Sequence, residues 1–226
     1  MVLTLYFHPL ASFCHKVLIA LYENGTPFEP KIVNFDEEGS RAELLARWPV
    51  GKIPVLHDQN RNRTVPETSI IIEYLDEHYL GPTRFIPKDR ETALEVRLWD
   101  RFFDLYVQSP MQKIVADRLR PEGSQDRHGV AEAEATLRTA YKMIDAHMGH
   151  HAWAAGDKFT MADCSAAPAL FYSGIILPFG PDLKQLSSYF ERLLQRPSFN
   201  RTIKEAQPYF ELFPFRDRMP ARFLDL

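Results

Sequence analysis

Over residues 1–80 the apolar positions switch between the two-residue period of strands and the longer period of helices; beyond residue 90 only the helical period remains. Leu3–Phe7 is rich in β-forming residues and runs into His8-Pro9, a turn signal. Over residues 12–24 the side chains Phe13, Val17, Ala20 and Leu21 keep helical spacing, and Asn24-Gly25 predicts the stop. Residues 27–35 read as a second strand and residues 41–48 as a short helix. Residues 53–56 and the stretch around Thr64-Val65 read as two further strands on either side of a turn-rich segment. Ile70, Ile71, Tyr74, Leu75 and His78 mark another helix, giving the order β-α-β-α-β-β-α. Gly81-Pro82 through Pro87 breaks the pattern and reads as a linker. After it Leu94, Leu98, Phe102 and Leu105 predict one helix, and Val130, Leu137, Tyr141, Ile144 and Met148 another. Thr160-Met161-Ala162-Asp163 matches a capping box with Asp in place of Glu, with Phe159 placed to staple onto Cys164. Leu183, Leu186, Phe190 and Leu193 predict a last helix ending at Arg196-Pro197. The expectation is two domains: an α/β domain over 1–82 and an all-helical domain over 90–226.

Composition narrows the function classes. The chain has 226 residues, 45% hydrophobic and 25% charged, with a formal net charge of −3. That balance is ordinary for a globular protein and gives no reason to expect nucleic acid or a membrane surface as partner. Basic residues at Arg61-Asn62-Arg63 and over residues 216–222 are interrupted by acids or prolines and read as solvated surface. Cys14 and Cys164 stand too far apart in a two-cysteine chain for a disulfide framework, so a reducing, cytoplasmic setting is expected. No signal peptide is expected at the N-terminus. The most apolar stretch, residues 162–180, is broken by Asp163, Pro168, Gly174 and Pro178 and reads as a buried core helix.

Three places can carry chemistry. Ile53-Pro54 opens a strand, a position that suits proline. Glu67-Thr68 opens a helix, where a hydroxyl caps and an acid suits the dipole, and where free N–H groups can also receive an anion. The third is Ala11-Ser12-Phe13-Cys14-His15-Lys16-Val17, which joins the first strand to the first helix. A hydroxyl there can cap the helix or serve a ligand; Cys14 can be a small core residue or a thiol activated by the helix N-terminus. Elsewhere His147, His150 and His151 bracket a glycine and read as solvated rather than as a metal set. No phosphate loop, dinucleotide fingerprint or hydrolase elbow is present.

Val50-Gly51-Lys52-Ile53-Pro54-Val55-Leu56, followed by Pro66-Glu67-Thr68-Ser69, resembles the glutathione-holding half of the soluble glutathione transferases, and Arg196-Pro197-Ser198-Phe199 extends the likeness. The resemblance implies a thioredoxin-like domain followed by an all-α domain. It implies a cis Ile53-Pro54 bond that turns the Ile53 backbone towards the cysteinyl part of glutathione. Lys52 would meet the glycyl carboxylate, Thr68 and the helix N-terminus the γ-glutamyl carboxylate, and Glu67 the γ-glutamyl ammonium.

The catalytic group would be Ser12, with Cys14 and Tyr6 as alternatives; without gaps, the family's serine falls on Ala11, one residue early. A hydrogen bond to a thiolate, roughly 1.5–3 kcal/mol, lowers a thiol from about 8.5 by about 1–2 units, enough to make thiolate the main form near neutrality. Trp99, Phe103 and Tyr106 would wall the pocket of a small electrophile, and the aromatic tail around Tyr209–Phe215 would fold over its mouth. Glutathione is then the co-substrate, no metal is needed, and a homodimer is expected. Two other readings remain: a glutathione-dependent thiol–disulfide oxidoreductase using Cys14, and a non-catalytic binding module of the same fold.

Overall fold

In a computed structural model the described residues are 2–224, so the first residue and the last two of the expected domains lie outside them. Residues 3–78 form β1 (Leu3–Phe7), α1 (Ser12–Glu23), β2 (Glu29–Ile32), α2 (Glu38–Arg47), β3 (Val55–Asp58), β4 (Arg63–Pro66) and α3 (Thr68–His78). The four strands lie in the order β2-β1-β3-β4; β2 is parallel to β1, and the other two pairings are antiparallel. This is the thioredoxin-like arrangement. α1 ends where the sequence predicts. Gly25, at φ 58°, lets the Thr26 N–H reach the Leu21 carbonyl at 2.9 Å while its own N–H reaches Tyr22 at 3.2 Å, closing a Schellman cap.

The remainder is helical: α4 (Arg90–Phe102), a π-helical turn (Phe103–Gln108), α5 (Ser109–Arg118), α6 (Arg127–Met148), α7 (Met161–Ile176), α8 (Lys184–Leu194) and α9 (Pro197–Ala206), then short 3₁₀ turns. The π turn has a local cause. Pro110 offers no N–H and its ring crowds the carbonyl four residues back. The helix widens instead, and both the N–H and the hydroxyl of Ser109 turn to the Asp104 carbonyl, the hydroxyl at 2.8 Å. α7 is buried on nearly every side, as the broken apolar stretch predicts. No described helix is long and apolar enough to cross a membrane.

The predicted stripe Leu94, Leu98, Phe102, Leu105 forms a helix as expected but is split between two faces: Phe102 is buried, and only the leucines depart from the core. These leucines are 46–64% exposed, while Ala93, Val96, Asp100 and Phe103 face the core. The amphipathic signal was genuine but marked the outer face, because a charged residue occupies the inner one.

Two anchors fix the helical part. Asp76 at the end of α3 accepts the Phe85 and Ile86 N–H groups, pinning the linker, and the Phe85 carbonyl receives the Met161 N–H at 3.1 Å. The predicted capping box is present at the start of α7. Asp163 is fully buried and accepts from the Thr160 N–H (2.8 Å), the Ala154 N–H (2.9 Å) and the Tyr189 hydroxyl (2.6 Å). Burial pushes this carboxyl up to about 6 against those donors, which still leaves it ionised at neutral pH. Replacing it strands two backbone donors, so Asp163→Ala is expected to lower stability by about 3 kcal/mol, read as a shifted urea midpoint at unchanged slope.

Candidate active site

The loops ahead of β3 and α3 meet α4, the π turn and α5 in a cleft of about 530 Å³, a size typical of small-molecule sites. Lys52, Ile53, Pro54, Glu67 and Thr68 all line it, so the residues expected to hold glutathione come together. Phe13, from the first turn of α1, stands beside them. Leu105, Ser109 and Gln112 form the opposite wall, with Arg101 at its edge. A larger cleft of about 660 Å³ between β2 and α9 contains none of the predicted ligand-holding residues.

Local backbone geometry suits a ligand. The Ile53-Pro54 bond is cis. Ile53 precedes the strand ladder, whose register starts at Val55, so neither β1 nor β4 uses its N–H and C=O. Glu67 has φ 68°, a conformation that a β-carbon disfavours, and strain of this kind gathers at functional sites. Its carbonyl accepts the Ile71 N–H at 2.8 Å, so the helix begins on a strained residue with the first N–H groups of α3 left for an anion.

Under the cleft lies a buried charge cluster. Lys16, 1% exposed on α1, places Nζ 2.7 Å from Asp100 as an ion pair and donates to Asp104 at 2.8 Å and to the Ser69 hydroxyl at 2.9 Å. Asp100 also accepts from the Ser69 and Ser165 hydroxyls at 2.6 and 2.5 Å. Ser69, Asp100 and Asp104 line the cleft. Two carboxylates against one ammonium leave a surplus negative charge there. Burial pushes Asp104 above the usual carboxylate range; Lys16 opposes this and Asp100 adds to it.

The other predicted residues are placed differently. Ser12 is buried in the first turn of α1, and Phe13 rather than Ser12 lines the cleft; the Ser12 hydroxyl makes no hydrogen bond among the described residues, yet it is not sealed from solvent. Cys14 is fully enclosed, and burial pushes its thiol up to about 12, the reverse of what a nucleophile needs. Tyr6 donates to Glu43 on α2 at 3.1 Å and is buried with Val33, Leu44 and Val55.

The three aromatic residues expected to wall the acceptor pocket lie outside the cleft. Trp99 and Phe103 pack into the helical core, and Tyr106 faces a separate cleft of about 470 Å³ beside α6. The aromatic tail also departs from expectation: Phe210, Phe213 and Phe215 are buried, with Phe210 stacked on Phe171 and Phe213 edge-on to Tyr172 of α7, because apolar rings gain more there than at an open mouth. His147 stacks between Trp99 and His151 and meets the Ala154 carbonyl. Among the described residues no group of three or more His, Cys, Asp or Glu is arranged to hold a metal ion.

Comparison with known proteins agrees with the geometry. The glutathione S-transferase N-terminal domain signature matches residues 5–83, and the C-terminal domain signature matches residues 102–197. A probable glutathione S-transferase of Nicotiana tabacum is 30% identical over 94% of this chain and 85% of its own length. A stringent starvation protein A homolog of Histophilus somni is 26% identical over 92% of each chain. The crystal structure of a glutathione S-transferase from Methylobacillus flagellatus with glutathione bound superposes with a TM-score of 0.82, at 23% identity over 88% of this chain and 98% of the other. The chain belongs to the soluble glutathione S-transferase family.

Sequence reasoning passed over Lys16, Asp100 and Asp104, although a lysine inside an apolar helical stripe and two acids one turn apart beside Val96, Phe103 and Val107 are a readable signal. Lys16→Met leaves the two carboxylates facing each other and is expected to lower stability by about 3–5 kcal/mol. The loss is smaller at about pH 5 than at about pH 8, because Asp104, which burial holds above the usual carboxylate range, takes up a proton as pH falls, and adding Asp104→Asn recovers part of it. Urea melts at the two pH values check this; an equal loss at both contradicts the arrangement.

Proposed function

We propose that the protein conjugates the glutathione thiolate to a small electrophile. The observation that carries this reading is the meeting of Lys52, Ile53-Pro54, Glu67 and Thr68 in one cleft with the start of α1 and a separate helical wall. In this reading residues 1–82 hold glutathione and residues 90–226 supply the acceptor side. The Ile53 backbone pairs with the cysteinyl unit, Lys52 meets the glycyl carboxylate, Thr68 with the first turn of α3 takes the γ-glutamyl carboxylate, and Glu67 takes the ammonium. The surplus negative charge of the Lys16 cluster favours that ammonium. The sulfur then faces the first turn of α1, where the Ser12 hydroxyl, free of protein partners, donates to it.

Phe13, Leu105, Ser109 and Gln112 replace Trp99, Phe103 and Tyr106 as the proposed acceptor wall. The pocket is therefore apolar on two sides and hydrogen-bonding on the others, which suits an apolar electrophile with one polar leaving or accepting group. The enzyme supplies orientation and thiolate stabilisation, and no metal enters the reaction. The oxidoreductase reading loses support because Cys14 is enclosed. The binding-module reading draws support from the stringent starvation protein A likeness and needs only the glutathione-holding half.

Ser12→Ala is expected to lower turnover of an electrophilic aromatic substrate by more than about tenfold, about 1.4 kcal/mol of transition-state stabilisation, while glutathione affinity changes little. Unchanged turnover removes Ser12 from the reaction. A protein neither retained on immobilised glutathione nor active on any electrophile is the outcome for a binding module without glutathione.

A homodimer in the cytosol completes the proposal. Ile70 on α3 and Leu94 and Leu98 on α4 are 52–64% exposed, an apolar face that a second copy covers. Leu98→Glu is expected to halve the sedimenting mass; a wild-type monomer overturns the assignment.

A further inference from the structure

The loop between β1 and α1 carries the group that would serve the sulfur, and every one of its carbonyls already takes part in a hydrogen bond. The His8 carbonyl accepts the Ala11 N–H at 3.0 Å, and the Ala11 carbonyl accepts the Cys14 and His15 N–H groups. The two between them are held by side chains. His15 Nε2 lies 2.5 Å from the Pro9 carbonyl, and the Tyr172 hydroxyl donates to the Leu10 carbonyl at 2.8 Å. His15 and Tyr172 are themselves in contact, Nε2 to hydroxyl at 3.4 Å, with ring centres 5.5 Å apart. Both are buried, on α1 and α7 respectively, so one clamp arm comes from each part of the chain. Burial lowers His15 to about 4, so the ring is neutral. A carbonyl accepts only, which places its single proton on Nε2 and leaves Nδ1 as an enclosed acceptor without a partner. That orphan is tolerated in exchange for the loop contact.

A trans peptide is a rigid plane in which the carbonyl and the following N–H point opposite ways. Fixing the Pro9 and Leu10 carbonyls inward therefore fixes the next two N–H groups outward: Leu10 onto the His8 ring at 3.2 Å and Ala11 onto the His8 carbonyl. The Ser12 and Phe13 N–H groups, which follow directly, find no acceptor among the described residues. Phe213 of the C-terminal segment backs the Tyr172 ring at 5.3 Å, so the aromatic tail braces the clamp from behind.

We propose that His15 and Tyr172 are positioning residues that hold the β1–α1 loop so that the first turn of α1 presents its donors to the glutathione sulfur. This rests on the conjugation reading above for the identity of the ligand, but the clamp itself can be read without it. Tyr172→Phe deletes one hydroxyl and keeps the ring. In the full-length protein it is expected to speed amide exchange over residues 8–13 by about tenfold while α3 and α7 exchange as before. It is expected to lower kcat by roughly tenfold to a hundredfold and to raise the pH midpoint of thiolate formation on bound glutathione, followed by ultraviolet absorbance. KM for glutathione stays within about twofold, because Ile53, Glu67 and Thr68 are untouched. His15→Gln, which keeps a donor, retains more of kcat than His15→Leu. Unchanged exchange over residues 8–13 overturns the clamp whatever the ligand. Faster exchange in a protein that does not bind glutathione overturns its role at the sulfur and the conjugation reading together, while the loop contact stands.

Discussion

The ammonium of Lys16 is the point on which the two halves of the chain agree. It is carried by α1 of the sheet-containing part, yet two of its three partners, Asp100 on α4 and Asp104 on the π turn, belong to the other part, and the third, Ser69, lies in the first turn of α3. Such a cluster is poor as a source of stability, since desolvating three charges consumes most of what their attraction returns. Its effect is on register. A lysine with three fixed partners permits one rotation of α4 about its axis and one depth of α1 against α3 and α4. The cleft above inherits that rotation, because Ser69, Asp100 and Asp104 form part of its lining.

Much of the fold was legible because the signals were local. The Asn24-Gly25 stop, the Thr160 to Asp163 cap and the β-rich stretch of β1 each depend on a few neighbouring residues and on backbone preferences that tertiary packing does not reverse. Ile53-Pro54 and Glu67-Thr68 were legible for a related reason: main-chain recognition of a peptide needs particular backbone turns, and those turns need particular residues. The acceptor wall was not legible. Trp99, Phe103 and Tyr106 share helical spacing with the residues that do face the cleft, and only the hydrophobic core decides which face is which. Leu94, Leu98 and Leu105 misled in the same way. A stripe identifies a face without saying whether its neighbour is the core or another molecule. Lys16 and Asp100, charges standing on otherwise apolar faces, were the better guide to how α1 and α4 turn.

The loop around Ser12 shows how far sequence alignment alone can reach. A one-residue offset against the family pattern moves the expected hydroxyl from Ala11 to Ser12, and nothing local resolves it. The surrounding hydrogen bonds do more. Ala11 is the residue whose carbonyl starts α1, so Ser12 is the first residue inside the helix and Phe13 the one that meets the cleft. The histidine and tyrosine beneath are large buried side chains whose polar atoms point at loop carbonyls, an arrangement that a simple packing role does not require.

The wide turn at Phe103–Gln108 bears on how this scaffold can change over time. Each residue added to or removed from a helix rotates everything after it by about 100° relative to everything before it. Upstream of the turn stands Asp100, held by Lys16; downstream stand Ser109 and Gln112, which face the incoming molecule. In the π turn the extra residue is taken up by the wider five-residue hydrogen-bonded loop instead, so losing one codon between Asp104 and Ser109 would restore plain helix and leave Asp100 and the α5 wall on the faces they now present to the cleft. A lineage carrying this turn can therefore gain or lose a residue beside the cleft without turning Met111 and Ile114 of α5 out of the core.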